Sequence, residues 1–170
     1  MNWQEHNFFD GMLIIDLPEQ MITMPEEMKK KRYPSPNPPQ IIKINQETMT
    51  TLTLSRCAVV LDEPDILEII TAMMWAITHV HPRSIISKAN KLENKDGVIG
   101  WFSYQTDSLI NDKNFHISYA FMMGKYLVMG AVVSPLVMRK GTEAIFKDIM
   151  DTVRIIKKSD LQIAQERVRR

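Results

Sequence analysis

Apolar and polar positions alternate along this chain in some stretches and recur at helical spacing in others. Met12-Leu13-Ile14-Ile15-Asp16-Leu17 is a short, β-branched apolar run that ends at Pro18, which predicts a first strand. Met21-Ile22-Thr23-Met24 is expected to extend it after a kink. From Pro25 to Arg32 a proline leads, Glu26 and Glu27 follow, and Lys29-Lys30-Lys31-Arg32 close. That order suits the helix dipole and predicts a short helix. Tyr33-Pro34-Ser35-Pro36-Asn37-Pro38-Pro39 can neither continue a helix nor enter a central strand, so it reads as a rigid, extended surface connection. Gln40–Ile44 and Met49–Val60 are expected as two strands around a turn at Asn45-Gln46-Glu47. In the second, Leu52 and Leu54 alternate with Thr51, Thr53 and Ser55, the period of a sheet with one polar side.

Asp62-Glu63-Pro64-Asp65 opens the clearest helix, with Ile66, Ile69, Ile70, Met73, Ile77 and Val80 on one apolar face and Pro82 as its stop. Ser84–Leu92 is expected as a strand, and Asn94-Lys95-Asp96-Gly97 as a hairpin turn. Three strands follow: Val98–Thr106, the alternating run through Phe115, Ile117, Tyr119 and Phe121, and Tyr126–Val133. Short turns at Asn111-Asp112-Lys113-Asn114 and Gly124-Lys125 imply antiparallel pairing. The last strand is apolar on both faces, as a strand covered on both sides must be. Gly141-Thr142 leads a further helix carrying Ile145, Phe146, Ile149, Met150, Val153 and Ile156 on one side, with Thr142 as the expected N-cap. Helices outside an antiparallel meander predict an α+β fold built in layers.

Length and charge narrow the function. The chain has 170 residues, enough for one domain with a core of its own. Residues 1–156 are expected to form that domain, and 157–170 a charged tail, either a helical extension or disordered. Lys plus Arg number 21 and Asp plus Glu 20, a net charge of +1 that argues against a dedicated nucleic-acid binder. The polar start lacks the basic and apolar regions of a secretory signal, and no apolar run approaches a membrane span. The expected location is cytoplasmic, with no membrane association. The single cysteine, Cys57, excludes an internal disulfide and reads as an inert, buried strand thiol among Leu54, Ala58, Val59 and Val60.

Several segments together resemble a known family. Phe8-Phe9-Asp10-Gly11-Met12-Leu13-Ile14-Ile15-Asp16-Leu17-Pro18 is similar to the opening of the PsbP-like proteins: an aromatic, a glycine, an alternating apolar strand, then proline. Tyr33-Pro34 through Pro38-Pro39-Gln40-Ile41-Ile42 resembles the connection before the next strand pair in bacterial members. Phe146-Lys147-Asp148-Ile149-Met150-Asp151-Thr152-Val153-Arg154 resembles their final helix. The superfamily includes the extrinsic photosystem II subunit, a Ran-binding nuclear import factor and bacterial secretion-associated proteins. The resemblance implies an α/β/α sandwich around a central antiparallel sheet, no shared catalytic set, and a habit of binding other proteins.

No residue cluster supplies an obvious chemistry. His79 and His81 are two apart at a helix end, where they do not share a face, and no further ligands have matching spacing. Asp62, Glu63 and Asp65 suit capping and dipole compensation better than acid–base work. Gly97-Val98-Ile99-Gly100 has no third glycine and no following helix, so it reads as a turn rather than a phosphate cradle. Lys29-Lys30-Lys31-Arg32 reads as a solvated helix end. Thirteen methionines, including Met73-Met74 and Met122-Met123, serve first as core filler. Trp3, Phe8 and Phe9 precede the first expected strand in a polar context, and Tyr33 heads the proline run. These four are the candidate partner-binding residues, because buried aromatics dominate interface energetics. The sequence therefore reads as a non-enzymatic interaction domain, an adaptor or chaperone-like module with a protein partner and no cofactor or metal. The alternative is a small-molecule binder or enzyme whose site forms on the sheet from residues such as Tyr104, His116 and Tyr119.

Overall fold

The computed structural model describes residues 1–107 and 113–157, and beyond them only Gln165, Val168 and Arg169. The expected turn residues Asn111 and Asp112 and most of the charged tail fall outside the described residues. The strands are β1 (Trp3–Phe8), β2 (Leu13–Pro18), β3 (Ile22–Thr23), β4 (Ile41–Asn45), β5 (Thr50–Val60), β6 (Ile85–Ile86), β7 (Asn90–Asn94), β8 (Gly97–Asp107), β9 (Lys113–Met123), β10 (Tyr126–Pro135) and β11 (Arg154–Ile155). The helices are α1 (Glu26–Arg32), α2 (Ile66–Val80) and α3 (Arg139–Asp151). An antiparallel sheet runs in the order β3-β4-β5-β10-β9-β8-β6, with β7 also paired to β8, and a small sheet runs β1-β2-β11. This is the layered α+β arrangement expected.

Each long central strand feeds both faces of the large sheet. On β9, Phe115, Ile117, Tyr119, Phe121 and Met123 join one apolar layer with β2 and with Phe146, Ile149 and Met150 of α3. Ala120 and Met122 face the other way, into the layer under α2 with Ile66, Ile70, Phe102 and Leu127. Gly100 lies beneath α2, where a Cβ would strike the side chains of Ile66 and Ile70, so its bareness sets how closely the helix approaches. Asp65 caps α2, its Oδ1 accepting the Leu67 N–H at 2.9 Å. A third, smaller layer joins Met24, Ile42 and Ile44 with Met28 of α1 and Tyr33.

Five local expectations need correction. The polar N-terminus is not a lead-in but strand β1, antiparallel to β2; it is the largely exposed edge of the small sheet, so little of it needs to be apolar. Ile22-Thr23 does not extend β2 but crosses to the edge of the large sheet against β4. Ser84–Leu92 is two short strands rather than one, both laid on β8. Thr142 does not cap α3. A 3-10 turn at Leu136–Met138 starts the helix early, and the Thr142 hydroxyl, buried within it, bonds Ser134 Oγ at 2.7 Å and the Met138 carbonyl at 3.0 Å. Finally, α3 stops at Asp151, and Arg154-Ile155 turns back as β11 onto β2, so Val153 and Ile156 are not on the helix.

Candidate functional site

The turn after β1 brings Phe8 toward α1. Phe9, Asp10 and Gly11 take φ of 54°, 58° and 78°, three successive left-handed residues that reverse the chain within one turn. Phe9 packs half-buried against the main core, and Phe8 is half-buried at its margin. Lys43 of β4 lies 5.8 Å from the Phe8 ring centroid, and its Nζ donates to Thr23 Oγ1 at 2.8 Å. Partial burial lowers the Lys43 pKa. His6 stacks on Phe8 at 5.7 Å, and its Nε2 is buried without a hydrogen bond. Burial, and then the Lys43 cation, lower the His6 pKa, so the neutral ring is favoured there.

Helix α1 divides the adjoining surface into two cavities. One, of about 250 Å³, lies between Phe8, Thr23, Lys29 and the strand segment Gln40–Lys43. The other, of about 470 Å³, lies between Lys29, Lys30, Tyr33, Pro34 and Pro36. Glu26 and Lys29 border both. Met28 and Tyr33 lean on Met24, Ile42 and Ile44, which leaves Lys30, Lys31 and Arg32 exposed and Lys29 half-buried. Among the described residues none of Lys29, Lys30, Lys31, Arg32 and Lys43 is in an ion pair. Two of the four aromatic candidates, Phe8 and Tyr33, thus line these cavities, one in each. Trp3 does not: it sits opposite Pro18 at the far end of β1, 37% exposed.

The sheet-face alternative comes together only in part. Tyr104 and His116 stack face to face at 4.4 Å on paired strands, His81 stacks on Tyr104 at 6.3 Å, and His116 Nε2 lies 2.7 Å from Thr106 Oγ1. Burial first, and the neighbouring His81 second, lower the His116 pKa to about 4. Tyr119 points to the opposite face, where its hydroxyl donates to the Thr53 carbonyl at 2.6 Å, so the three residues do not converge. Beside the His81 end is a recess of about 340 Å³ lined by Arg83, Ser84, Gln105, Asp107 and Lys113. Among the described residues no three His, Cys, Asp or Glu side chains are grouped to hold a metal ion. His79 Nδ1 lies 2.9 Å from the Trp75 carbonyl rather than near His81. Cys57 is half-buried with its Sγ 3.6 Å from Met129 Sδ.

One exposed aromatic was passed over in the sequence. Trp75 is 66% exposed and lies against His79, ring centroids 3.9 Å apart and planes tilted by 41°. It stands nine residues after Ile66, about half a turn off the buried face at 100° per residue, a position that the helical spacing reveals once Ile66 and Ile70 are taken as inward. Val80, expected on the apolar face, is the last residue of α2 and is 69% exposed, bordering the recess there.

No family's sequence signature matches the chain, and no curated protein is detectably similar to it in sequence. Solved structures are similar in fold. The Ran-binding protein Mog1p of Saccharomyces cerevisiae superposes with a TM-score of 0.63 at 9% identity, over 92% of this chain and 97% of that one. Cyanobacterial PsbP from Synechocystis superposes with a TM-score of 0.64 at 9% identity, over 91% of this chain and 92% of that one. Among the described residues no helix is long and apolar enough to cross a membrane. With superpositions of this quality over nine-tenths or more of both chains, the chain has the PsbP/Mog1-like fold.

Proposed function

We propose that this chain is a non-enzymatic protein-interaction domain, adaptor-like or chaperone-like, that engages a protein partner through the groove around α1. The carrying observation is that Phe8 and Tyr33, from separate segments, line two cavities joined by Glu26 and Lys29. Aromatic side chains held half-buried at a rim lose little conformational freedom when a partner covers them, the condition under which they become anchors. Mog1p, a protein of the same fold, is Ran-binding by name, which supports an interaction role of this general kind. Phe9 would contribute by holding the turn that places Phe8, and Trp3, at the far end of β1, would offer its exposed ring as a separate contact.

Affinity capture from the native host, comparing the wild type with Tyr33→Ser and with Trp75→Ser, tests this. Proteins retained by the wild type and by Trp75→Ser but lost with Tyr33→Ser are the expected result. An identical set for all three, or no retained protein under conditions that preserve weak complexes, would sink the assignment.

A further inference from the structure

We infer that the groove around α1 takes an extended, acidic segment of a protein partner. The inference rests on the proposed interaction role and adds the chemistry of what is recognised. Four contiguous bases, Lys29 to Arg32, and Lys43 from β4 border the two cavities or stand beside them, without an ion pair among the described residues. The whole chain carries a net charge of only +1, so this is local segregation of charge rather than a basic protein. Uncompensated like charges repel one another, and an opposite charge placed among them relieves that repulsion and steers encounter.

Shape separates a peptide from other polyanions. The walls are a strand segment, Gln40–Lys43, and a proline run, Pro34–Pro38, with one aromatic ring in each cavity. Two modest cavities on either side of a short helix suit two side-chain anchors on one extended backbone, with carboxylates between them facing Lys29, Lys30 and Lys43. A phosphate backbone gains chiefly from a long basic track, and this patch ends at Glu26 and Glu27. Glu26 borders both cavities and opposes an acidic ligand, which fixes the sign of one variant.

The test is a fluorescence-anisotropy titration of the full chain with a labelled dodecapeptide alternating glutamate with phenylalanine and leucine. Its counterpart carries lysine in place of every glutamate. The glutamate peptide is expected to bind at least about tenfold more tightly than the lysine peptide, and to weaken as salt rises. The double variant Lys29→Glu, Lys30→Glu is expected to lose about tenfold in affinity with an unchanged circular dichroism spectrum. Glu26→Gln is expected to tighten binding by a few fold. Equal affinity for the two peptides, or no effect of the double reversal, would overturn the inference. So would tighter binding of a twelve-nucleotide oligouridylate, or of phosphatidylserine vesicles, than of the glutamate peptide. These outcomes leave the interaction role intact if Tyr33→Ser still abolishes capture in the host; loss of that dependence would remove the role itself.

Discussion

Gly130 leaves room for Tyr119 of the main core. They face each other across β10 and β9, and the tyrosine ring crosses the bare glycine to reach the Thr53 carbonyl on β5. A Cβ at position 130 would strike both that carbonyl and the ring. Gly130→Ala should therefore lower stability by about 2–4 kcal/mol, through overpacking and a lost buried hydrogen bond. Tyr119→Phe should cost about 1–3 kcal/mol, because the Thr53 carbonyl loses its donor while the packing stays. Urea denaturation of both variants checks the order. A second residue effect is pH-dependent. His116 titrates at about 4 in the fold against 6.5 in the unfolded chain. As pH falls the unfolded chain takes up its proton first, so the contribution is full above about 6.5 and is lost toward 4. The loss is at most about 3 kcal/mol, reduced by the partial solvent access of the ring. The difference in unfolding free energy between wild type and His116→Gln, followed from pH 7 to pH 4, should shrink steadily; a constant difference would contradict this account.

Between elements, Thr152 joins α3 to the small sheet. Its Oγ1 accepts the Asp16 N–H at 2.9 Å and donates to the Ile149 carbonyl at 2.7 Å, stitching the helix end to β2. Thr152→Val removes the acceptor but keeps the shape, and thermal unfolding should register a loss of about 1–2 kcal/mol. The neighbouring Arg154–Asp16 pair, though only 2.7 Å long, is exposed and should matter less. This junction also marks where sequence reasoning ends. The alternation on β9 and the 3.6-residue spacing on α2 are local patterns, and both elements were legible because the large apolar side chains gather on one face of each. Just past the stop of α3, Thr152 takes a hydrogen bond from a residue 136 positions away, a contact that no local pattern encodes. The same holds for β1, whose exposed residues carry no apolar period, and for Thr142, which looks like a cap until the preceding 3-10 turn claims the helix start. The groove was half legible: Phe8 and Tyr33 stood out as aromatics, but their meeting across α1 follows from β4 lying next to β3 at the sheet edge.

At the scale of the whole molecule, the two apolar layers share their strands, and this sets how it unfolds. Strands β8, β9 and β10 send alternate side chains into the layer under α3 and the layer under α2. Stripping α2 away would bare Phe102, Ala120 and Leu127 on the same strands whose other faces hold Trp101, Tyr119 and Val128. Neither layer keeps its driving force once the other opens, so the layers should melt together. Trp101 reports the first layer, being buried with its ring edge-on to Phe146 at 5.5 Å, and the far-ultraviolet helical signal is weighted toward α2, the longest helix among the described residues. In a Trp3→Phe, Trp75→Phe background the two signals should give one urea midpoint. Ile70→Ala, which empties a fully buried site beneath α2, should shift both midpoints equally, by the equivalent of about 2–4 kcal/mol. A helical signal that fell first, with Trp101 emission unchanged, would mean that α2 is a detachable layer. The exposed Trp75 face would then belong to a moving part of the molecule rather than to the rigid body that holds the α1 groove in shape.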